Sequence, residues 1–183
     1  MMKRILFVMV MVLLVSTAVS AQLPPQGYIG LFVNDTHTNW CITGTGSYTL
    51  YCFVIPNDDG MKCIEISTVL SSANIAVFTP LYHPDVAQPV MGGVPGDLAA
   101  CFGNCWYDWV QVFSATLFIM APTPESVTLA PFTGSPYIKI LDCLSPATEL
   151  EAIEFTYVYT NTDPCPGTPN QESTWGAIKN MYE

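Results

Sequence analysis

Positive charge is what this chain has least of. Its 183 residues include 5 lysines and arginines against 15 aspartates and glutamates, a formal net charge of −10. Phosphate recognition needs clustered Lys and Arg, so nucleic acid is excluded as a partner, and anionic membrane surfaces are disfavoured for the same reason. Histidine is nearly missing too, with His37 and His83 alone. Neither G-x-S-x-G nor H-E-x-x-H occurs, so no familiar catalytic constellation accompanies them. Helical periodicity is almost absent, and no apolar run reaches the roughly 20 residues a spanning helix needs.

What is present starts at the N-terminus. Lys3 and Arg4 precede an apolar run from Ile5 to Val15, followed by "STAVSA". A basic start, a short apolar segment and Val19-Ser20-Ala21 read as a secretory signal peptide over residues 1–21. No cysteine lies at the cleavage point, so lipid attachment there is not expected. The mature chain would start near Gln22, with 183 − 21 = 162 residues, enough for one core of ordinary size. Only Lys62, Lys139 and Lys179 then face the 15 acidic residues, giving −12. The expected location is secreted: extracellular, cell-surface or periplasmic.

All seven cysteines lie beyond that signal, and an exported chain makes disulfides the default. Cys41, Cys52, Cys63, Cys101, Cys105 and Cys143 are the candidates. An odd count leaves one over, and Cys165, in the loop-like "TDPCPGTPN", is the first choice. Around the turn "PNDDG", a hairpin register would set Cys52 opposite Cys63, although remote partners are equally open. Cys101 and Cys105 sit in "CFGNCWYDW". A three-residue loop over Phe102–Asn104 would let them bridge locally, and that version is favoured. A two-residue hairpin would send each to a distant partner. C-x3-C beside Asp108 fits neither a redox helix start nor a zinc site, which needs a second ligand pair.

Alternation at period two recurs along the chain. Strands are expected over Tyr28–Val33, Thr49–Ile55, Met61–Val69, Ile75–Thr79, Leu98–Phe102, Trp109–Met120, Ser126–Leu129, Tyr137–Leu141 and Glu151–Thr160. In the last, Ile153, Phe155, Tyr157 and Tyr159 would face one way and Glu154, Thr156, Val158 and Thr160 the other. Many short strands separated by Pro/Gly/Asp turns predict an all-β antiparallel sandwich over residues 22–160, immunoglobulin-like or jelly-roll, with a barrel as runner-up. Residues 161–172 read as a polar Pro-rich linker. Residues 173–183 read as a short tail in which Ser173 could cap a helical turn.

That tail, Trp175-Gly176-x-Ile178-Lys179-x-Met181-Tyr182, resembles the ending W-G-x-[IV]-K-x-[LM]-[YF] of exported bacterial β-rich proteins. "GYIGLFVNDTHTNWC", Gly27 to Cys41, is similar to the mature start of small proteins of the same kind. The resemblance covers about a seventh of the chain and implies export, with a sorting or attachment role for Trp175, Ile178, Lys179 and Tyr182. A terminus that packs on its own domain is the competing reading.

Candidate chemistry is sparse. Tyr107 and Trp109, with Asp108, could hold a sugar ring. A core Trp packed on a disulfide is favoured, because one face of the strand must be buried. His37 with Asp35, or His83 with Asp85, could serve a hydrolase as acid–base pairs, yet surface turns explain both more simply. Asp58 and Asp59 could attract calcium, but an Asx-type turn suits them better. No cofactor, metal or catalytic residue is therefore expected. The reading is a secreted, non-enzymatic structural, adhesive or binding domain whose partner is a protein or glycan, with export or cell-surface machinery engaging the tail. A carbohydrate-binding module and a secreted hydrolase are the alternatives.

Overall fold

The computed structural model describes residues 27–87 and 89–166. The segment expected to be a signal peptide, residues 1–21, and the tail residues Trp175, Ile178, Lys179 and Tyr182 lie outside the described residues. Thirteen strands follow in chain order: β1 (Tyr28–Phe32), β2 (Cys41–Ile42), β3 (Gly46–Ile55), β4 (Met61–Leu70), β5 (Ile75–Tyr82), β6 (Met91–Gly92), β7 (Gly96–Trp106), β8 (Val110–Ile119), β9 (Glu125–Ala130), β10 (Lys139–Leu141), β11 (Glu149–Glu151), β12 (Ile153–Thr156) and β13 (Val158–Thr160). There is no helix among the described residues.

The strands form two sheets packed face to face, a β-sandwich as the alternation predicts. Sheet I has the order β12-β1-β3-β8-β5. Sheet II runs β11-β10-β4-β9-β13-β2, with β7 on the other side of β4 and β6 beyond β7. Both sheets are mixed. Most pairs are antiparallel, but β12 runs parallel to β1 and β13 parallel to β2. Between the sheets lies a core that includes Leu31, Leu50, Ile64, Ile66, Leu98, Val112, Leu117 and Val127, each at most 1% exposed.

The chain repeatedly changes sheet, and this is where local reading goes astray. "PNDDG" does not close a hairpin; it carries the chain from β3 in sheet I to β4 in sheet II. Cys52 therefore has Leu31 and Phe113 as strand neighbours, not Cys63. Likewise "CFGNC" does not turn. Both cysteines belong to the continuous strand β7, and the turn comes later, at residues 107–109, where the chain crosses to β8. Between them β7 bulges against β4, the run from Cys101 to Trp106 facing only Met61 to Cys63, and each cysteine bonds to a different element.

The pairing is Cys63–Cys101 across β4 and β7, Cys105–Cys143 from the end of β7 to the segment after β10, and Cys41–Cys165. Cys165, expected to be left over, is bonded, and the free thiol is Cys52, buried in the core. The parallel docking of β13 on β2, with Tyr159 opposite Cys41, brings the following residues back to Cys41. Asn161 extends the fastening, accepting from Gly44 N at 2.6 Å and donating its own N–H to Ile42 O at 2.7 Å. Trp40 Nε1 donates to Pro166 O at 3.1 Å, so residues 161–166 are held to the sandwich.

The 151–160 run shows the largest departure from its pattern. Its residues split among β11, β12 and β13, passing from sheet II to sheet I and back. Thr156, Val158 and Thr160, expected to face water, are buried, while Tyr157 and Tyr159 are only half-buried. A crossing between layers reverses which side of the chain meets the core, so period-two alternation cannot be carried through it.

Candidate functional site

Sheet I has an unusual outer face. Across its five strands the single charged residue is Glu154, whereas the strands of sheet II carry Lys62, Glu65, Asp97, Glu125, Lys139, Glu149 and Glu151. Antiparallel register lines up its outward side chains in rows across β3, β8 and β5. The rows are Ser47–Phe118–Ala76, Thr49–Thr116–Phe78 and Tyr51–Ser114–Leu81, and β1 extends the last with Phe32 opposite Tyr51. Leu81 is 70% exposed, Phe78 53% and Phe118 40%. Hydroxyls of Ser47, Thr49, Thr116 and Ser114 fill the spaces between them. In β5 the pairing with β8 is interrupted between Phe78 and Leu81, at Thr79 and Pro80. Pro80 lacks an N–H and Thr79 sits at φ 47°, features that blunt a free sheet edge against strand addition.

The same face carries a second apolar cluster at its other end. Phe32, Phe53, Ile55 and Phe155 are buried there, flanked by the half-buried Tyr28, Tyr51 and Trp109. The loop after β1 closes over it. His37 stacks on Trp109 with ring centroids 4.3 Å apart and planes at 12°, and its edge meets Phe53 at 5.1 Å. Burial pushes the His37 imidazole below its ordinary range, and the Asp108 carboxylate partly opposes that shift.

The three residues singled out as a sugar platform occupy the crossing between β7 and β8, and their side chains take separate positions. Trp109 belongs to the aromatic cluster, with Phe32, Phe53 and His37 around its ring. Asp108 accepts the Trp109 backbone N–H at 2.7 Å. Tyr107 is 57% exposed and lies against Gly60, where a Cβ would come within 2.7 Å of its ring. Gly60 sits at φ +75°, so the turn needs glycine for conformation as well as for space.

The histidines do not converge either. His83 Nδ1 accepts from the backbone N–H of Asp85 at 3.2 Å, and its ring meets Trp106 edge-on at 5.0 Å. His37 shares none of these neighbours. Asn57 organises the turn at Asp58 and Asp59, its Oδ1 accepting from Asp59 N at 3.2 Å while Gly60 N donates to its carbonyl. Among the described residues no three His, Cys, Asp or Glu side chains gather to hold a metal. A groove of about 250 Å³ on sheet II is floored by Ala99 and Cys63–Cys101. There Lys139 is held at 3.6 and 3.8 Å from Glu65 and Glu149.

No protein-family profile matches the chain, and comparison with curated proteins finds no relative. Solved structures do match. A non-cellulosomal cohesin from the archaeon Archaeoglobus fulgidus superposes with a TM-score of 0.51 at 10% identity, covering 87% of this chain and 100% of the cohesin. The fold resembles that of cohesin modules. The sixth cohesin of scaffoldin B from Acetivibrio cellulolyticus, solved in complex with a Cel5 dockerin, gives a TM-score of 0.52 at 11% identity, over 75% of this chain and 99% of its own. At such identities the likeness is one of architecture.

The uncharged face was not singled out from the sequence, although a signal existed. "GSYTLYCFVI", "IAVFTPLY" and "VQVFSATLFI" contain no charged residue, and their outward positions in the three rows are Ser, Thr, Tyr, Ala, Phe and Leu. Only the strand order, which seats β5, β8 and β3 side by side, turns three uncharged segments into one surface.

Proposed function

We propose that this chain is an exported, non-catalytic domain that binds a protein partner through the outer face of sheet I. The observation that carries the reading is the uncharged strip across β3, β8 and β5, where Phe78, Leu81 and Phe118 stand exposed among hydroxyls. Interface centres are depleted of charge and anchored by a few large apolar groups, while ordinary surfaces of an acidic protein are not. The partner that fits is a segment presenting aliphatic side chains without charge at its centre, such as an amphipathic helix. Support also comes from the architecture, since a cohesin of similar fold is seen in complex with a dockerin. Three disulfides suit an oxidising compartment, in line with the signal peptide. In this reading the C-terminal tail serves sorting or attachment.

A photo-crosslinking residue at position 78 of the exported protein tests the reading, followed by titration of the captured, purified partner. Leu81→Asp should weaken that binding by about thirtyfold or more, the loss expected of a central anchor, while Glu65→Gln on sheet II should not. Undiminished binding by Leu81→Asp refutes the assignment. Glycan binding abolished by Tyr107→Ala, with no protein captured, would favour the sugar-binding alternative.

A further inference from the structure

We propose that the loop at residues 33–39 is a pH-sensitive strap, closed over the aromatic cluster of sheet I while His37 is neutral and released when His37 is protonated. The functional part of this inference, that release enlarges the binding face, rests on the reading of sheet I given above.

The loop is built to hold its own shape. Asn34 Oδ1 accepts from the backbone N–H groups of Thr38 and Asn39, both at 3.0 Å. Its Nδ2 donates to the hydroxyls of Thr36 at 2.6 Å and Thr38 at 2.8 Å. Val33 N donates to Asn39 O at 2.8 Å and closes the base. None of these bonds ties the loop to the sheet. Its seat is the ring of His37, carried at φ 46° onto Trp109 and flanked by Phe53 and Phe32. The loop can therefore lift without dismantling itself, provided that one ring lets go.

That ring is poorly prepared for charge. Nδ1 of His37 is buried with no hydrogen-bond partner among the described residues. As the bare nitrogen of a neutral imidazole it is tolerated; as an N–H of the imidazolium it is an unpaired buried donor. The charged groups around it are few. The loop contributes Asp35, the β7–β8 crossing contributes Asp108, and β12 contributes Glu154, whose carboxylate is bonded to the Tyr157 hydroxyl. β1, β3 and β8 contribute none. Only Asp108 acts appreciably on His37, and its attraction is smaller than the cost of burial. A group whose closed-state pKa lies below its free value of about 6.5 favours closure above that value and opposes it as pH falls, so acid opens the strap.

What opening exposes is continuous with the exposed strip. Phe32, Tyr51, Ser114 and Leu81 form one row across β1, β3, β8 and β5. Lifting His37 uncovers Phe32, Phe53 and Trp109 at one end of that row. The strap thus sets how far the apolar face extends.

The test uses the full mature chain as wild type, His37→Phe and Asn34→Ala. Phe keeps the stacking ring and cannot titrate; Ala at 34 removes the internal bonds that shape the loop and present residue 37 to its seat, at every pH. Hydrogen exchange of residues 33–40, corrected for intrinsic pH effects, and binding of the apolar dye ANS are read near about pH 7.5 and about pH 5. In wild type, protection should fall at least tenfold and dye fluorescence rise on acidification. His37→Phe should stay closed at both values, and Asn34→Ala should be open already at the higher one. Equal protection of wild-type residues 33–40 at both values, or the same acid response in His37→Phe, overturns the strap. If His37→Phe fails to fold, the wild-type His37 Cε1–H resonance decides by NMR. Titration below about 6.5 with a concerted shift of the Trp109 indole supports the strap, and titration at or above it with no indole shift refutes it. Leu81→Asp separates the two readings, because retained partner binding would sink the binding face while leaving these exchange results untouched.

Discussion

Seven cysteines with three bridges leave one thiol, and its burial makes a sharp prediction. Cys52 is fully buried on β3 between the sheets, and burial drives its thiol pKa far above the ordinary value. A thiol reagent can reach it only after the sandwich opens. If that opening costs about 7 kcal/mol, in the lower part of the usual range, labelling should run about 10⁵-fold slower than for an unfolded chain, one decade for each ~1.4 kcal/mol. The assay is simple: unreduced mature protein with excess reagent, followed by mass spectrometry over hours and across a denaturant series. One label per chain should appear in denaturant, all of it on the peptide containing residue 52, and the native labelling rate should track stability. Cys52→Ser should remove the signal, whereas Cys165→Ser should create a new, rapidly labelled thiol at Cys41. Fast native labelling, or label on Cys165 in wild type, would refute both the pairing and the burial.

Three further outcomes are expected. By loop entropy, removing Cys41–Cys165 with paired serines should cost at most about 4.9 kcal/mol, and removing Cys63–Cys101 about 3.9 kcal/mol, read by urea unfolding. The value for the long loop is a ceiling, because the remaining bridges already restrain the unfolded chain. Leu31→Ala deletes a fully buried side chain beside Cys52 and should destabilise by about 2–5 kcal/mol, whereas the exposed Leu81→Asp should change stability by less than about 0.5 kcal/mol. Glu125 accepts hydrogen bonds from Ser71 and Asn74 that hold its carboxyl down at about 2. The stability this adds is present above the unfolded value of about 4.5 and disappears as pH falls toward 2, so Glu125→Gln should lower Tm at neutral pH and leave it unchanged near pH 2.

The alternation of apolar and polar residues in β3, β4, β8 and β9 was enough to declare an all-β sandwich. Each of these strands stays within one sheet, so a period of two maps directly onto core and outside. The cysteine count and the leading apolar segment likewise determined, by composition alone, that disulfides were to be expected and that one thiol would be left over. What the tertiary structure decided is everything that depends on which sheet a strand joins. "EAIEFTYVYT" has the pattern of one strand, but two layer crossings bury Thr156, Val158 and Thr160 and leave Tyr157 half-exposed. Cys101 and Cys105 look like neighbours, but β7, bulged between them and never turning back, sends one to Cys63 and the other to Cys143. The aromatic pair beside them separates for the same reason: the crossing at residues 107–109 leaves Tyr107 on Gly60 and hands Trp109 to sheet I. The uncharged face is assembled from strands that are distant in sequence. A residue's local pattern reports how often it meets a core, whereas the pairing of layers, fixed by long-range burial, selects which core, which partner and which surface it meets.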